Sequence, residues 1–342
     1  MEITMQIKYL ARVLSGVRVK KLNDVIDRVQ QRCHKSKLFI FFDMLVCAVR
    51  YGAGYHDYLI FAFYDMNAKQ RKTYVTRMSN RKINQICNDP EYSYIFDRKN
   101  VFNKRFKDFL HRDTIDLAET DLDAFKTFMA DKDTVFAKPN TAESGKGIEK
   151  LNKADFASIE EMFEYVKRAD KNFGVLEQLI VQHEALSKLY PCAVNTLRIV
   201  TLNHNGEVHI PYAVCKMGNE GKFVDNMENS GLACPIDIET GKIRGVAHTS
   251  ALINFDTHPY TGVKLVGYQL PYIKEALALC EEAAKVVPEI GHVGWDVCIM
   301  PDGPAIIEGN DFPGYDFYQL PEHTPEKIGL LEFYKKYIPE LN

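Results

Sequence analysis

The sequence predicts an α+β fold preceded by a mainly helical N-terminal region. Apolar residues recur at helical spacing before residue 90, whereas short strand-like runs alternate with helical segments from about residue 97 and are concentrated after residue 130. The length of 342 residues suits one large domain or two to three smaller ones. We therefore expect three parts, namely residues 1–96, 97–170 and 171–342.

The first part is expected to contain at least two helices followed by a break. Helical spacing relates the apolar residues of two successive segments, Leu22, Val25, Ile26, Val29 and Leu38, Phe41, Phe42, Leu45. Gly52 and Gly54 interrupt this pattern. The apolar run 38–49 includes Asp43 and is too short to span a membrane.

The later elements follow from alternation, helical spacing and turn residues. A strand at 135–138 enters a small-residue loop, and the strand 174–180 follows a helix at 159–169. A hairpin is expected from 197–203 and 208–217 through Asn205-Gly206. After an amphipathic helix at 271–287, the strands 297–300 and 305–308 should pair across a Pro-Asp-Gly turn.

Composition excludes several classes of protein. The 43 Lys and Arg against 46 Asp and Glu give a net charge of −3, so no overall basic field favours nucleic-acid binding. Residues 1–100 differ, with 18 basic against 9 acidic residues. This excess indicates a solvated helical surface, or else contact with an anionic membrane or a phosphorylated partner.

The cysteines point to a reducing compartment. All eight are scattered, without a CxxC pair or zinc-ligand spacing, and the start of the chain carries no secretory signal pattern. We therefore expect a cytoplasmic protein.

The strongest chemical signal lies on the last two strands. Pairing them across their turn should place Asp296 and Glu308 on one face of a sheet, with Asn310 two residues further along the same face. Two carboxylates and an amide oxygen are ligands that Mg²⁺ prefers. The competing interpretation is that these residues are solvated strand ends.

Cations and a further carboxylate pair occur upstream. Lys138 ends a strand before the loop 140–148, an arrangement that suits phosphate binding. Glu177 ends another strand, and Glu184 follows seven residues later, so the pair could read an adenine edge and ribose hydroxyls. Arg198 and Lys216 lie on neighbouring predicted strands, where they would neutralise phosphate charge or pair with acidic residues.

In this order, these residues resemble the ATP-grasp superfamily. The segments VNTLRIVTL, VDNMENSGLACPIDIETGKI and VGWDVCIMPDGPAIIEGNDFPG are similar to its sugar-transfer-associated branch. The resemblance covers about residues 97–320. It implies two α+β lobes that hold ATP and two Mg²⁺ ions between them, and a role in making surface polysaccharide.

The resemblance also implies roles for individual residues. The catalytic cations would be Arg198 and Lys216, and the metal ligands Asp296, Glu308 and Asn310. The nucleotide-binding residues would be Lys138, Ser144, Gly145, Gly147, Glu177, the backbone of Leu179, Glu184 and one of Lys99 and Lys104.

The helical N-terminal region departs from the compact βαβ domain of better-known ATP-grasp ligases. We expect it to form the acceptor side, with four candidate contacts, Arg50, Tyr51, Tyr55 and Tyr58. The competing interpretation is a helical cap that only buries its aromatic residues.

Three functions remain open from the sequence. The first is an ATP-dependent ligase that joins a small-molecule carboxylate to an amine, either of them sugar-linked. The others are a phosphotransferase acting on a hydroxyl group and a non-catalytic nucleotide-binding partner of glycan-assembly enzymes. In the ligase, Asp296→Asn and Glu308→Gln should each abolish ADP formation with little loss of fold.

Overall fold

The chain forms two compact units in the computed structural model. One comprises residues 1–86 with 314–342, and the other comprises residues 87–313. The structure describes residues 19–141 and 146–341.

The first unit is helical, as the sequence predicts for the N-terminal region. Its helices are Val19–Cys33, Lys37–Tyr51, Tyr55–Ile60, Ala68–Arg71, Arg77–Cys87, which ends one residue into the second unit, and Leu331–Tyr337. The Ser36 side chain caps the second of these by accepting from the Phe39 amide. Gly52 ends it with a φ of 62°, a left-handed conformation that favours glycine. The predicted break is thus confirmed.

Aromatic side chains form the core of this unit. Phe61 and Phe63 are fully buried against Tyr74. Tyr58 is also fully buried, and its hydroxyl donates to Asp43 at 2.7 Å. The prediction that Tyr58 contacts an acceptor is therefore wrong, because its ring and its hydroxyl are both engaged inside the unit.

The C-terminal segment belongs to the same unit. The buried Gln319 side chain accepts from the Val75 amide at 2.9 Å and donates to the Val75 carbonyl at 3.0 Å. The Tyr74 hydroxyl also hydrogen-bonds Thr324. Residues 314–341 therefore pack with the N-terminal helices, although the sequence predicts that they continue the part that begins at residue 171.

The second unit contains all the strands of the described residues, in two antiparallel sheets. The strands are β1 Thr114–Asp116, β2 Thr134–Lys138, β3 Glu149–Asn152, β4 Val175–Gln178, β5 Thr196–His204, β6 Glu207–Met217, β7 Leu232–Asp237, β8 Lys242–Ile243, β9 Ala247–His248, β10 Asn254–Phe255, β11 His292–Met300 and β12 Gly303–Asn310. Its helices are Tyr94–Asp97, Lys99–Arg105, Lys107–Leu110, Leu122–Phe128, Ile159–Lys167, Glu184–Leu189 and Ile273–Ala283. The α+β prediction is confirmed.

The smaller sheet has the strand order β1-β4-β2-β3. One face is apolar because Val135, Ala137 and Leu176 alternate inward. These residues share a core with Phe125 and Met162, which come from two helices. Lys138 and Glu177 lie on the opposite face of the sheet.

The larger sheet has the order β10-β9-β7-β6-β5-β11-β12, with β8 paired to β7. Leu197, Ile199 and Trp295 belong to its core, which also includes Phe102 and Cys280 from helices. Since side chains alternate along a strand, Arg198 and Asp296 fall on the opposite face. The predicted hairpin turn at Asn205-Gly206 is confirmed by positive φ values of 55° and 84°.

The remaining predicted elements are also confirmed, with ends that differ by up to five residues, as at β11, which begins at His292. The short strands β1, β3 and β7–β10 were not predicted, because runs of two to six residues carry little periodicity. Among the described residues, none of the helices has the length and apolar content needed to cross a membrane.

Candidate active site

Glu177 is a buried carboxylate held by two cations. Its side chain is 4% exposed, and its Oε2 accepts from Lys138 Nζ at 2.8 Å and from Arg112 Nε at 3.1 Å. Asn103 also approaches Oε1, at 3.4 Å. Burial alone would raise the pKa of Glu177, but the attraction of Arg112 and Lys138 outweighs it and lowers the pKa to about 2.

Arg112 connects the two sheets of the second unit. Besides Glu177 on β4, its guanidinium donates to the carbonyls of Ile306 at 2.5 Å and Ile307 at 3.2 Å on β12. The polar face of the small sheet is therefore near the edge of the large one.

Asp296 is the centre of a second charge cluster. Its oxygens accept from Arg198 Nε at 2.6 Å, from Arg198 Nη2 at 2.9 Å and from Lys216 Nζ at 2.9 Å. Burial favours the neutral acid, yet these two cations hold the pKa of Asp296 well below its usual range. The structure thus brings together Asp296 and both predicted catalytic cations.

Strand register explains this second cluster. Asp296 lies opposite Arg198 on β5 and opposite Glu308 on β12. Lys216 lies two residues beyond the β6 partner of Arg198, and therefore on the same face. Gly294 permits the close packing, because a Cβ atom there would lie 3.1 Å from Arg198 Cδ.

The predicted metal ligands are neighbours on paired strands. Glu308 pairs with Asp296 and keeps 51% of its side chain exposed, while Asn310 pairs with Gly294. The Asn310 side-chain oxygen accepts from the Phe312 amide at 2.8 Å. In the described residues, no group of three or more His, Cys, Asp or Glu side chains could hold a metal. The side chains of Asp296, Glu308 and Asn310 nevertheless offer carboxylate and amide oxygens, which are the types of ligand that Mg²⁺ prefers.

The two candidate nucleotide lysines differ in position. Lys99 Nζ lies 3.9 Å from Glu308 Oε2, and the Lys99 amide donates to the carbonyl of Asn140 in the loop after β2. Lys104 has 77% of its side chain exposed and contacts Glu119 at 3.5 Å. Lys99 is therefore the one that adjoins the predicted metal ligands.

The other predicted nucleotide residues are more scattered. Glu184 begins a short helix and pairs with Lys188 at the surface. Leu179 follows β4 directly. Gly147 has a φ of 71° in the loop before β3. The predictions for Ser144 and Gly145 lie outside the described residues.

Two charged residues at these clusters, Arg112 and Asp225, are not among the residues that the sequence predicts for the site. Arg112 precedes β1, and only the folded chain shows that it reaches both β4 and β12. Asp225 accepts hydrogen bonds from the amide and hydroxyl of Thr196. Burial, reinforced by nearby Asp296 and opposed by Lys216, raises the pKa of Asp225. Asp225 lies in the segment VDNMENSG, which is part of the stretch that resembles the ATP-grasp branch. That resemblance is the one sequence signal that points to Asp225.

Three predicted acceptor contacts lie in the first unit. Arg50 is exposed, and its guanidinium lies 5.8 Å from the centroid of the half-buried Tyr51 ring. Tyr55 is half-buried at the start of its helix. Their role in acceptor binding stays a prediction.

Comparison with known proteins identifies a family. A model of the sugar-transfer associated ATP-grasp family matches residues 78–328, which is most of the chain. No curated protein matches the chain.

Solved structures show weaker similarity. The ATP-grasp ligase PsnB complexed with a minimal precursor is 14% identical, with 70% of this chain and 62% of PsnB covered and a TM-score of 0.41. D-alanyl-alanine synthetase A from Vibrio cholerae is 15% identical, with 74% and 67% covered and a TM-score of 0.45. D-cycloserine synthetase DcsG is 12% identical, with 78% of each chain covered and a TM-score of 0.43. This chain spans about three fifths of the length of PsnB.

We predict that Glu177→Gln destabilises the second unit by about 3 kcal/mol at neutral pH, because Lys138 and Arg112 lose their shared counter-charge. The folded pKa of about 2 is below the ordinary value of 4.5, so this carboxylate stabilises the fold above pH 4.5. That stability is lost as the pH falls towards 2.

Urea unfolding from pH 7 to pH 2 measures the difference between wild type and Glu177→Gln. The difference should shrink below pH 4.5, and Glu184→Gln at the surface should match wild type throughout. A Glu177→Gln protein as stable as wild type at pH 7 would show that the ion pairs contribute nothing.

The structure corrects the expectation that Asp296→Asn and Glu308→Gln both preserve the fold. Asp296→Asn leaves Arg198 and Lys216 without a counter-charge, so its melting temperature should fall by about 10 °C. The half-exposed Glu308 should tolerate Gln with almost no change. Differential scanning calorimetry checks both variants, and equal melting temperatures would contradict the structural role of Asp296.

Proposed function

Because this chain belongs to the sugar-transfer-associated ATP-grasp family, we propose that it is an ATP- and Mg²⁺-dependent ligase that joins a carboxylate to an amine through an acyl-phosphate. Three observations support the proposal, namely the cations of the second unit, the pair Asp296 and Glu308, and the family assignment itself. Of these, the arrangement of the cations is the observation on which the proposal chiefly depends.

Acyl-phosphate formation must bring a carboxylate and a triphosphate together against their mutual repulsion. Lys138, Arg198 and Lys216 are each held by a buried carboxylate, so their positions are set before a ligand arrives. Preorganised cations of this kind stabilise charge that develops in a transition state. We assign Lys138 and Lys99 to the nucleotide phosphates, and Arg198 and Lys216 to the transferring phosphoryl group and the acceptor carboxylate.

Asp296, Glu308 and Asn310 would hold Mg²⁺, which supplies further neutralisation of phosphate oxygens. The exposed Glu308 is the ligand most open to a metal, and Asp296 would share its oxygens between the metal and its two cations. Glu177, the backbone of Leu179 and Glu184 are our candidates for the adenine and ribose. Since the Glu177 carboxylate is occupied by Lys138 and Arg112, we expect backbone groups after β4 to do most of the adenine recognition.

The proposed reaction proceeds in two steps, and each step forms one bond and releases one leaving group. A carboxylate oxygen attacks the γ-phosphorus of ATP, and ADP leaves. The amine nitrogen then attacks the acyl carbon and loses a proton, and inorganic phosphate leaves with one of the original carboxylate oxygens. These steps require no covalent bond to the protein.

The family assignment supports a sugar-linked substrate, and we propose a uronic acid or a related saccharide precursor of a surface polysaccharide. Arg50, Tyr51 and Tyr55 remain our candidates for its recognition, since Tyr rings stack on sugars and Arg binds carboxylates with two hydrogen bonds.

All eight cysteines lie in described residues and are free thiols, which supports a reducing, cytoplasmic setting.

Transfer of ¹⁸O tests this reaction. The protein, MgATP, a panel of ¹⁸O-carboxylate uronic acids and a panel of amines should yield ADP and phosphate carrying one ¹⁸O atom. Mass spectrometry of the phosphate and of the amide product measures both. Glu308→Gln should reduce the rate at least about a hundredfold, and Glu326→Gln, a surface variant in the first unit, should leave it unchanged.

Two results would contradict the ligase. A phosphorylated product without free phosphate would show a phosphotransferase that uses a hydroxyl group. ADP release without ¹⁸O in the phosphate would show hydrolysis by water.

A further inference from the structure

The helix Lys37–Tyr51 is apolar on both sides. One side buries Ile40, Met44 and Cys47 in the first unit. The other side carries an apolar stripe, which we define as Leu38 (68% exposed), Phe39 (50%), Phe42 (56%) and Val46 (50%). A surface helix ordinarily carries polar residues on its outer side.

The apolar stripe is continuous along the helix. Leu38, Phe42 and Val46 follow at intervals of four residues, so they form one row, and the Phe39 side chain lies beside it. Isolated exposed apolar residues are ordinary in soluble proteins, but a contiguous row marks an interaction surface.

A basic cavity adjoins the start of the apolar stripe. It has a volume of about 460 Å³ and is lined by Arg32, Cys33, Lys35, Ala62, Tyr64 and Asp65. Lys35 Nζ lies 5.1 Å from the centroid of the Phe39 ring, which places the cavity directly next to the stripe. Asp65 is paired with Lys327 at 2.7 Å, and Lys35 Nζ donates to the Tyr64 carbonyl at 2.6 Å, so two cations and one paired carboxylate line the cavity.

The surrounding charge is also positive. Residues 19–86 contain 13 Lys and Arg against 5 Asp and Glu. Two acidic residues of this region are already paired, Asp43 with Arg71 at 2.7 Å and Asp27 with Lys37 at 2.6 Å. Arg50 is exposed at the far end of the helix. Cations therefore flank the stripe at both ends.

We propose that this surface docks the protein on an anionic membrane, with the helix Lys37–Tyr51 lying in the plane of the lipid headgroups. The apolar stripe would enter the acyl boundary, and the cavity of Arg32 and Lys35 would hold a lipid phosphate. At 15 residues the helix is too short to span a bilayer but long enough for an interfacial position. The proposal does not depend on the ligase chemistry, whose cations and carboxylates belong to the second unit, and Arg50 is the one residue that both proposals use.

Vesicle cosedimentation of the full chain tests the proposal. The protein should sediment with vesicles of phosphatidylcholine and phosphatidylglycerol, and it should stay in the supernatant with vesicles of pure phosphatidylcholine. Addition of 0.5 M NaCl should weaken the binding to the anionic vesicles. Phe42→Glu with Val46→Glu should lower the partition coefficient at least about tenfold. The matched control Ile253→Glu, at an exposed apolar residue of the second unit, should bind as wild type does.

The cavity is tested separately. Arg32→Gln should lower binding to the anionic vesicles about fivefold, whereas Lys69→Gln, an exposed lysine elsewhere in the first unit, should have a smaller effect. Circular dichroism of each variant establishes that it is folded.

Three results would overturn the proposal. The first is equal binding to neutral and anionic vesicles, or no binding to either. The second is unchanged binding by the folded Phe42→Glu/Val46→Glu protein. The third is a change in molar mass by light scattering in that variant without loss of vesicle binding, which would show that the stripe joins two copies of the chain.

Discussion

Two buried carboxylates, Glu177 and Asp296, are each neutralised by two cations, and the arrangement of charge in the second unit depends on these contacts. Burying one ion without a partner costs several kcal/mol, so each cluster persists only when all its members are present. Lys138, Arg198 and Lys216 are thereby held in place although each has a long, flexible side chain. Arg112 extends the constraint, because it pairs with Glu177 and donates to two carbonyls of β12.

This arrangement suits chemistry on anions. A cation already held by a carboxylate needs no further ordering when a phosphate arrives, and the phosphate can share its hydrogen bonds. The clusters lie on strands whose other faces are buried in apolar cores, so the sheet backbone fixes their spacing. Glu308 differs from Asp296 in being half-exposed, and this leaves it open to a metal or a ligand.

Parts of this site could be predicted because the sequence patterns that indicate them are local. The Pro-Asp-Gly turn sets the pairing of β11 with β12, and strand alternation then places Asp296 and Glu308 on one face. Arg112 could not be predicted, because its partners on β4 and β12 are distant in the sequence and are brought to it only by the packing of the two sheets. Tyr58 shows the same limit, since nothing local to its helix distinguishes a core tyrosine from one that faces a ligand.

Calorimetric titration with the non-hydrolysable analogue AMPPNP and Mg²⁺ tests most directly whether the cations of the two clusters bind a nucleotide. Wild type should bind one equivalent, and Lys138→Gln and Lys216→Gln should each weaken the affinity at least about tenfold. Lys126→Gln, which changes a surface lysine of the same unit, should bind as wild type does. Absence of saturable binding to wild type, or equal affinity in all four proteins, would contradict a nucleotide site at Lys138 and Lys216.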